Sequence, residues 1–431
     1  MVAPHEDDEC LGTGGYLVQA RAAGAEAYVC LLTNGEGEEL GAAWTNRSLR
    51  LTPARFMRLG QVRQQETLRA LAQVGIPSDH VPFLGYPNLG LDSMFSAWHW
   101  DYQHPFASSY LRAVSSPYDN SYTPGASFCG ASLVADLRSV LQMVHPTRAF
   151  TCHPADVHRD HWPAYAFVRL ALDTIAQEPH GAWADNVPVH CYLVHRPGFP
   201  QPFGMSPESA LAAPPALEAM SLNTWSALQL RPSDREAKRN MLSLYRSQGV
   251  AFDLLIHSFV RVNELFARIR KLEPIPRLED AAPRPEEREP VGDLAPLRRQ
   301  PGTDIAAVEA AADDAQVAIR IRLAGLPARS VKVSVVVHVP LVSAYHLQVL
   351  QMDYVRGEPV MLTGATSHWR LKADDLRGAT GGGSGATVRL TMPRRLIGDC
   401  DRFSVTAVTY VGSRIRDHSM TRTYVLPRPS G

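Results

Sequence analysis

The stretch at residues 1–15, MVAPHEDDECLGTGG, runs from a short apolar tail into His5-Glu6-Asp7-Asp8-Glu9 and then into Gly12, Gly14 and Gly15. That is the profile of a strand that ends, a polar turn, and a helix that begins. His5 and Asp8 stand three apart, close enough to hold one ion if the segment turns helically. The plainer account is surplus acid at a helix N-terminus, where the dipole favours negative charge. Only Met1 to Pro4 precede the cluster, so the first strand reads as clipped. Either the chain starts unusually late or an upstream segment has been removed, and any export signal with it.

Outward from this stretch, short apolar runs alternate with amphipathic ones. Residues 26–32 (EAYVCLL), 80–84, 148–152 and 189–195 read as strands, and 62–74, 133–144 and 162–175 as helices. The expected fold is α/β, with a Rossmann-like, mainly parallel sheet and helices on both faces. Such sheets take ligands beyond the carboxyl ends of their strands. Three polar clusters fall there: residues 5–9, 33–36 and 153–161. Residues 233–272 read as one long helical stretch. Residues 273–304, rich in Pro, Glu, Asp and Arg, read as a solvated linker. Beyond them, β-branched runs separated by Gly, Pro and Asp predict a C-terminal all-β sandwich. The expected division is 1–272, 273–304 and 305–431, with the last part a separable accessory module.

Composition narrows the function. Across 431 residues, 43 Lys and Arg balance 43 Asp and Glu, which argues against a nucleic-acid partner. No apolar run reaches 18 residues, so no transmembrane segment is expected. Localisation stays open: cytoplasmic as the chain stands, exported if an upstream signal has been removed. No lysine precedes Lys238, which excludes a Schiff-base or phosphate-cradling lysine from the N-terminal half. Gly12-Thr13-Gly14-Gly15 lacks the GxGxxG form of a dinucleotide site. The six cysteines show no CxxC pair and read as buried reduced thiols. His338, His346, His368 and His418 are scattered and read as ordinary surface or core residues.

The second cluster, His153-Pro154-Ala155-Asp156-Val157-His158-Arg159-Asp160-His161, places three histidines and two aspartates just after a strand. His, Asp and His make a zinc ligand set that leaves a fourth position for water. A carboxylate beside that water can take its proton, and a histidine near a carbonyl can stabilise developing charge.

Pro4-His5-Glu6-Asp7-Asp8-Glu9, Leu32-Thr33-Asn34-Gly35-Glu36 and His158-Arg159-Asp160-His161 together resemble the PIG-L (LmbE-like) deacetylases over roughly residues 1–270. Arg63 with Glu66, and the later Tyr245, Ser247 and Gln248, share the resemblance. It implies a zinc-dependent hydrolase removing N-acyl groups, mostly from N-acetylglucosamine conjugates. Carried over by motif position, His5, Asp8 and His161 hold Zn2+, Asp7 is the base and His158 polarises the carbonyl. Asp160 orients a histidine, while Arg63, Asn88 and Asn34 meet the sugar. Glu6 departs from the family's proline, and Asn88 stands where many relatives place an Asp. The expected partner is a small-molecule or oligosaccharide substrate; the sequence is silent on oligomeric state. The alternatives are a zinc amidase for a non-sugar amide or thiol conjugate, and a non-catalytic carbohydrate-binding envelope protein. The aromatic-rich residues 98–129 read as an insertion near the pocket.

Overall fold

The computed structural model describes residues 1–278, 282–292, 300–341, 346–398 and 400–426, without the side chains of residues 250, 251 and 346. The α/β part runs β1 (Val2–Ala3), α1 (Asp8–Ala22), β2 (Cys30–Thr33), α2 (Glu39–Asn46), α3 (Pro53–Ala72), β3 (Phe83–Tyr86), α4 (Leu91–Met94) and α5 (Gly130–Val144). It continues through β4 (Ala149–Cys152), α6 (His161–Ala176), β5 (Val189–Tyr192), α7 (Pro215–Glu218), β6 (Asn223–Gln229), α8 (Pro232–Leu242), α9 (Arg246–His257) and β7 (Asn263–Ile269).

The strands β1, β2 and β3 pair in parallel, as do β4 and β5, and β4 lies beside β1. β7 and β6 extend the β4–β5 side antiparallel. Period-two alternation sends successive side chains to opposite faces. Ala3, Leu31, Phe83, Phe150 and Tyr192 therefore enter one apolar core with Leu11 and Leu17 of α1, Leu71 of α3 and Met241 of α8. Val2, Cys30, Leu84, Ala149 and Cys191 enter the other, under Leu137 of α5 and Phe167 of α6. Because both faces are covered, the strands read as continuous apolar runs. At Gly12 a Cβ would stand 2.3 Å from the Tyr192 ring, so glycine is what lets α1 lie against β5.

The long helical stretch expected over 233–272 is corrected. Helices α8 and α9 are followed by strand β7, whose Phe266 and Ala267 enter the two cores. The first lysine of the chain, Lys238 on α8, is fully buried. Its Nζ lies 2.7 Å from Glu264 of β7 and donates to the Leu11 carbonyl at 2.8 Å. Glu264 also accepts from the Gly15 and Tyr16 amides, tying α1, α8 and β7 together.

The remaining strands are β8 (Ile305–Ala312), β9 (Gln316–Leu323), β10 (Val331–Leu341), β11 (His346–Val355) and β12 (Met361–Ala365). They are followed by β13 (Thr380–Ser384), β14 (Thr387–Pro393), β15 (Arg402–Val411), β16 (Arg414–His418) and β17 (Arg422–Val425). They form two antiparallel sheets: β12-β11-β10-β15-β16 with β17 on β15, and β13-β14-β9-β8. Ile319, Ile321 and Leu390 of one share a core with Val333, Val335 and Val405 of the other.

Apolar packing continues from these sheets into the α/β part. His338 of β10 is fully buried among Phe95 and Trp100, with ring centroids 4.2 and 4.9 Å away, and its Nε2–H donates to the Phe95 carbonyl. His418 stacks on Trp162 of α6. Of residues 273–304, 279–281 and 293–299 lie outside the described residues. The described remainder is bridged to β8 at Ile275–Ala311 and Arg288–Ala307. All six cysteines are buried and free. Among the described residues no helix is long and apolar enough to cross a membrane.

Candidate metal centre

The carboxyl ends of β1 and β4 lie side by side, and each delivers one polar cluster to the same place. His5 Nδ1, Asp8 Oδ2 and His161 Nε2 converge, 3.1 Å separating the first two and 3.2 Å the third from each. The opposite nitrogen of each imidazole is held by a carboxylate: His5 Nε2 by Asp160 at 3.0 Å, and His161 Nδ1 by Asp156 at 3.2 Å. With a metal bound, those bonds would keep the ring protons on the far nitrogens and turn two lone pairs toward the ion.

This arrangement fits zinc. At a zinc–nitrogen distance near 2.0–2.1 Å, tetrahedral ligands lie about 3.3 Å apart, close to the separations here. The electrostatics agree. Burial opposes a charge on His5, yet Asp160 and Asp8 raise it to about 9, so the cluster attracts positive charge. Burial likewise works against Asp8, but His161 and His5 hold its carboxyl well below the usual range. Asp156, pushed up by burial, is brought down to about 2 by His161, His195 and the amides it accepts from.

Asp7 precedes α1 with φ 109°, a strained backbone for a non-glycine residue. The strain leaves its side chain, 13% exposed, facing the cavity beside His5. Burial raises its pKa, and only Arg63, 3.7 Å away, opposes this strongly. His158 lines the same cavity. The Asp160 amide donates to its Nδ1 at 3.2 Å, so its proton sits on Nε2. Burial and the neighbouring histidines keep that ring neutral.

The residues expected to meet the sugar are placed unequally. Asn88 lines the cavity, but its Oδ1 accepts from Gly37 and its Nδ2 donates to Asp160. Arg63 reaches the cavity wall yet is only 4% exposed. It lies 3.4 Å from the Glu6 carboxylate and donates to the carbonyls of Gly35 and Glu6. Gly35 has φ +57°, and a Cβ there would sit 2.2 Å from the Arg63 guanidinium. Asn34 is fully buried, accepts from Gln64 and is not among the residues that line the cavity. A residue following a strand can point either way, and the close packing of α3 turns this one inward.

The sequence reading missed His195. Its ring lies 4.7 Å from His161 and 5.1 Å from His158; with Asp8 and His161 it forms one candidate ligand group, and His5, His158 and His161 form another. Its place just after β5, next to β4, was the available signal. The later residues of the resemblance hold the motif from behind: Tyr245 donates to Glu9 and Ser247 to Glu66, while Gln248 lines the cavity. In the aromatic stretch, Trp100 and Tyr118 are buried, Tyr110 lines the cavity, and Trp98, Tyr102 and Tyr122 are exposed. The cavity measures about 560 Å³, with Leu40, Phe252, Leu255 and Ile256 making one apolar wall.

Residues 1–172 match the PIG-L family model, described as GlcNAc-PI de-N-acetylase, and the resemblance read from the motifs is borne out there. No curated protein matches the chain. Among solved structures, a deacetylase in the biosynthesis pathway of teicoplanin is 18% identical, covering 65% of this chain and 98% of its own at a TM-score of 0.39. The N,N'-diacetylchitobiose deacetylase from Pyrococcus horikoshii is 14% identical, covering 62% and 82% at 0.37. GalB, the 4-carboxy-2-hydroxymuconate hydratase from Pseudomonas putida KT2440, is 14% identical, covering 65% and 98% at 0.37.

Proposed function

We propose that this chain is a zinc-dependent hydrolase that removes an N-acyl group, acetyl in the first instance, from an N-acetylglucosamine-type sugar or conjugate. The observation that carries the reading is the convergence of His5 Nδ1, Asp8 Oδ2 and His161 Nε2 beneath a cavity that also holds Asp7 and His158. The PIG-L match over residues 1–172 supports the sugar amide.

Held by those three residues, zinc would supply an acidified water and polarise the amide carbonyl. Asp7 takes the proton of the attacking water and passes it to the departing nitrogen, so the products are a carboxylate and a free amine. His158 donates its Nε2–H to the carbonyl oxygen as negative charge develops there. Arg63 carries a positive charge among Glu6, Asp7 and Asp8 and fixes the turn that presents Asp7. Asp156 and Asp160 keep both ligand rings in the tautomer that offers a lone pair. The apolar wall of Leu40, Phe252, Leu255 and Ile256 favours a second reading, an amide carrying an apolar rather than a sugar group.

The test is elemental analysis of the purified full chain combined with acid release from N-acylated monosaccharides, chitooligosaccharides and non-sugar amides. Stoichiometric zinc, activity lost to a chelator and restored by zinc, and loss of zinc in His161→Ala are expected. Undiminished tight zinc binding in that variant would overturn the ligand assignment, and cleavage confined to non-sugar amides would overturn the sugar.

A further inference from the structure

A second cavity, of about 380 Å³, lies between α4 with the segment following it and the outer face of the β10–β11–β15 sheet. Both parts of the chain build it. From the α/β side, Asp92 is buried and holds Arg159 in a two-pronged pair, at 2.6 and 3.0 Å, while Arg159 stays half exposed. From the sheet, Lys332 lies 3.4 Å from Asp353 and 4.5 Å over the ring of Tyr410. Trp98 stands at the rim, 53% exposed, with Arg370 4.0 Å over its ring and donating to its carbonyl. Gln351 accepts from the Ala97 amide and so joins the two walls.

The lining selects a ligand by elimination. Its two cations and two carboxylates are already paired, so the cavity holds no net charge to draw an ion, and a charged ligand would have to break a pair. A wholly apolar ligand would strand four charged groups away from water. A neutral polyol meets both conditions. Its hydroxyls donate to Asp353 and accept from Arg159 and Lys332 as charge-assisted hydrogen bonds, while the buried Asp92 holds Arg159 in place. The indole of Trp98 offers an apolar surface to the C–H groups of a ring.

We infer that this interdomain cavity binds a neutral sugar residue, a further unit of the chain whose acylated unit enters the His5–His161 cavity. The inference rests on the sugar-amide reading for that second clause. The two cavities are close in the fold. His158 lines one and Arg159 the other, as do Leu89 and Asp92, and the Leu91 amide donates to Asp160 at 3.1 Å. The β sheets would thereby contribute to substrate binding through Lys332, Asp353 and Tyr410.

The test titrates the full chain calorimetrically with an unacylated β-1,4-linked glucose tetramer and with chitotetraose. Saturable binding of both is expected, weakened about tenfold, or 1.4 kcal/mol, in Trp98→Ala and in Lys332→Ala at unchanged melting temperature. Both side chains are substantially exposed, so at least one variant will fold. Absence of saturable binding, or equal binding by wild type and both variants, would overturn the proposal. The glucose tetramer has no amide, so the two readings separate. Hydrolysis of an N-acetylated monosaccharide without tetramer binding overturns this site alone, and tetramer binding without any hydrolysis overturns the catalytic reading alone.

Discussion

Asp156 organises the candidate metal centre without joining its proposed ligands, and replacing it with asparagine tests that role. Its Oδ1 accepts from the His158 amide at 3.0 Å. Its Oδ2 accepts from the Val194 and His195 amides at 3.0 and 2.9 Å and from His161 Nδ1 at 3.2 Å. Asparagine has the same shape but one acceptor end. Its least costly placement turns the amide nitrogen toward the His158 N–H, which sets two donors face to face with no acceptor between them and costs about 1–3 kcal/mol of stability for each donor left unpaired. His161 keeps a partner that has lost its charge, so its ring becomes a poorer donor to zinc. Loss of such an orienting carboxylate lowers metal affinity by about 10- to 100-fold, equivalent to about 1.4–2.7 kcal/mol. The assay is zinc competition against a chromophoric chelator, run beside denaturant unfolding of the metal-free protein. Weaker zinc binding together with a modest loss of stability is expected. Zinc affinity within twofold of wild type, in a folded variant, would refute the claim that the charge of Asp156 makes His161 a stronger donor to zinc.

Four further outcomes are expected. Asp7→Asn should retain zinc but lose about 10²–10⁴-fold in kcat, and near-normal turnover would remove Asp7 from the role of base. Lys238→Met should destabilise the protein by about 3–5 kcal/mol in chemical denaturation because the buried Glu264 loses its counter-charge, and Lys238→Met with Glu264→Gln should recover part of that loss. Burial pushes His338 down to about 3, so below its ordinary value near 6.5 the unfolded chain binds a proton that the folded one refuses. Stability should therefore fall as pH drops from about 6.5 to 3, by up to a few kcal/mol, and His338→Phe should flatten that slope; an unchanged slope would count against the burial account. A chain ended at Glu273 should be poorly soluble, because it uncovers Phe95, Trp100 and Trp162; a soluble product that still binds zinc would instead support the separable module expected from the sequence.

The sequence by itself determined what depends on local pattern. Alternating apolar runs marked β2 to β5 and the helices that cover them, because a two-sided sheet needs continuous hydrophobic strands. The clusters at residues 5–9 and 153–161 marked the candidate ligands, because β1 and β4 each end immediately before one. Tertiary structure decided what depends on direction and on partners far along the chain. Placing β4 next to β1 brought His161 within 3.2 Å of His5, across 156 positions. The packing of α3 turned Asn34 into the core and clamped Arg63 on Gly35 and Glu6. Strand β5 carried His195 to the site, where its spacing from the other histidines gave no motif. The strand at Asn263–Ile269 looked helical because its alternation is short and it follows two helices. It became a strand because β5 and β6 left hydrogen bonds for it to complete. The docking of His338 among Phe95 and Trp100 was equally invisible, since two complementary surfaces leave no periodic trace in either segment.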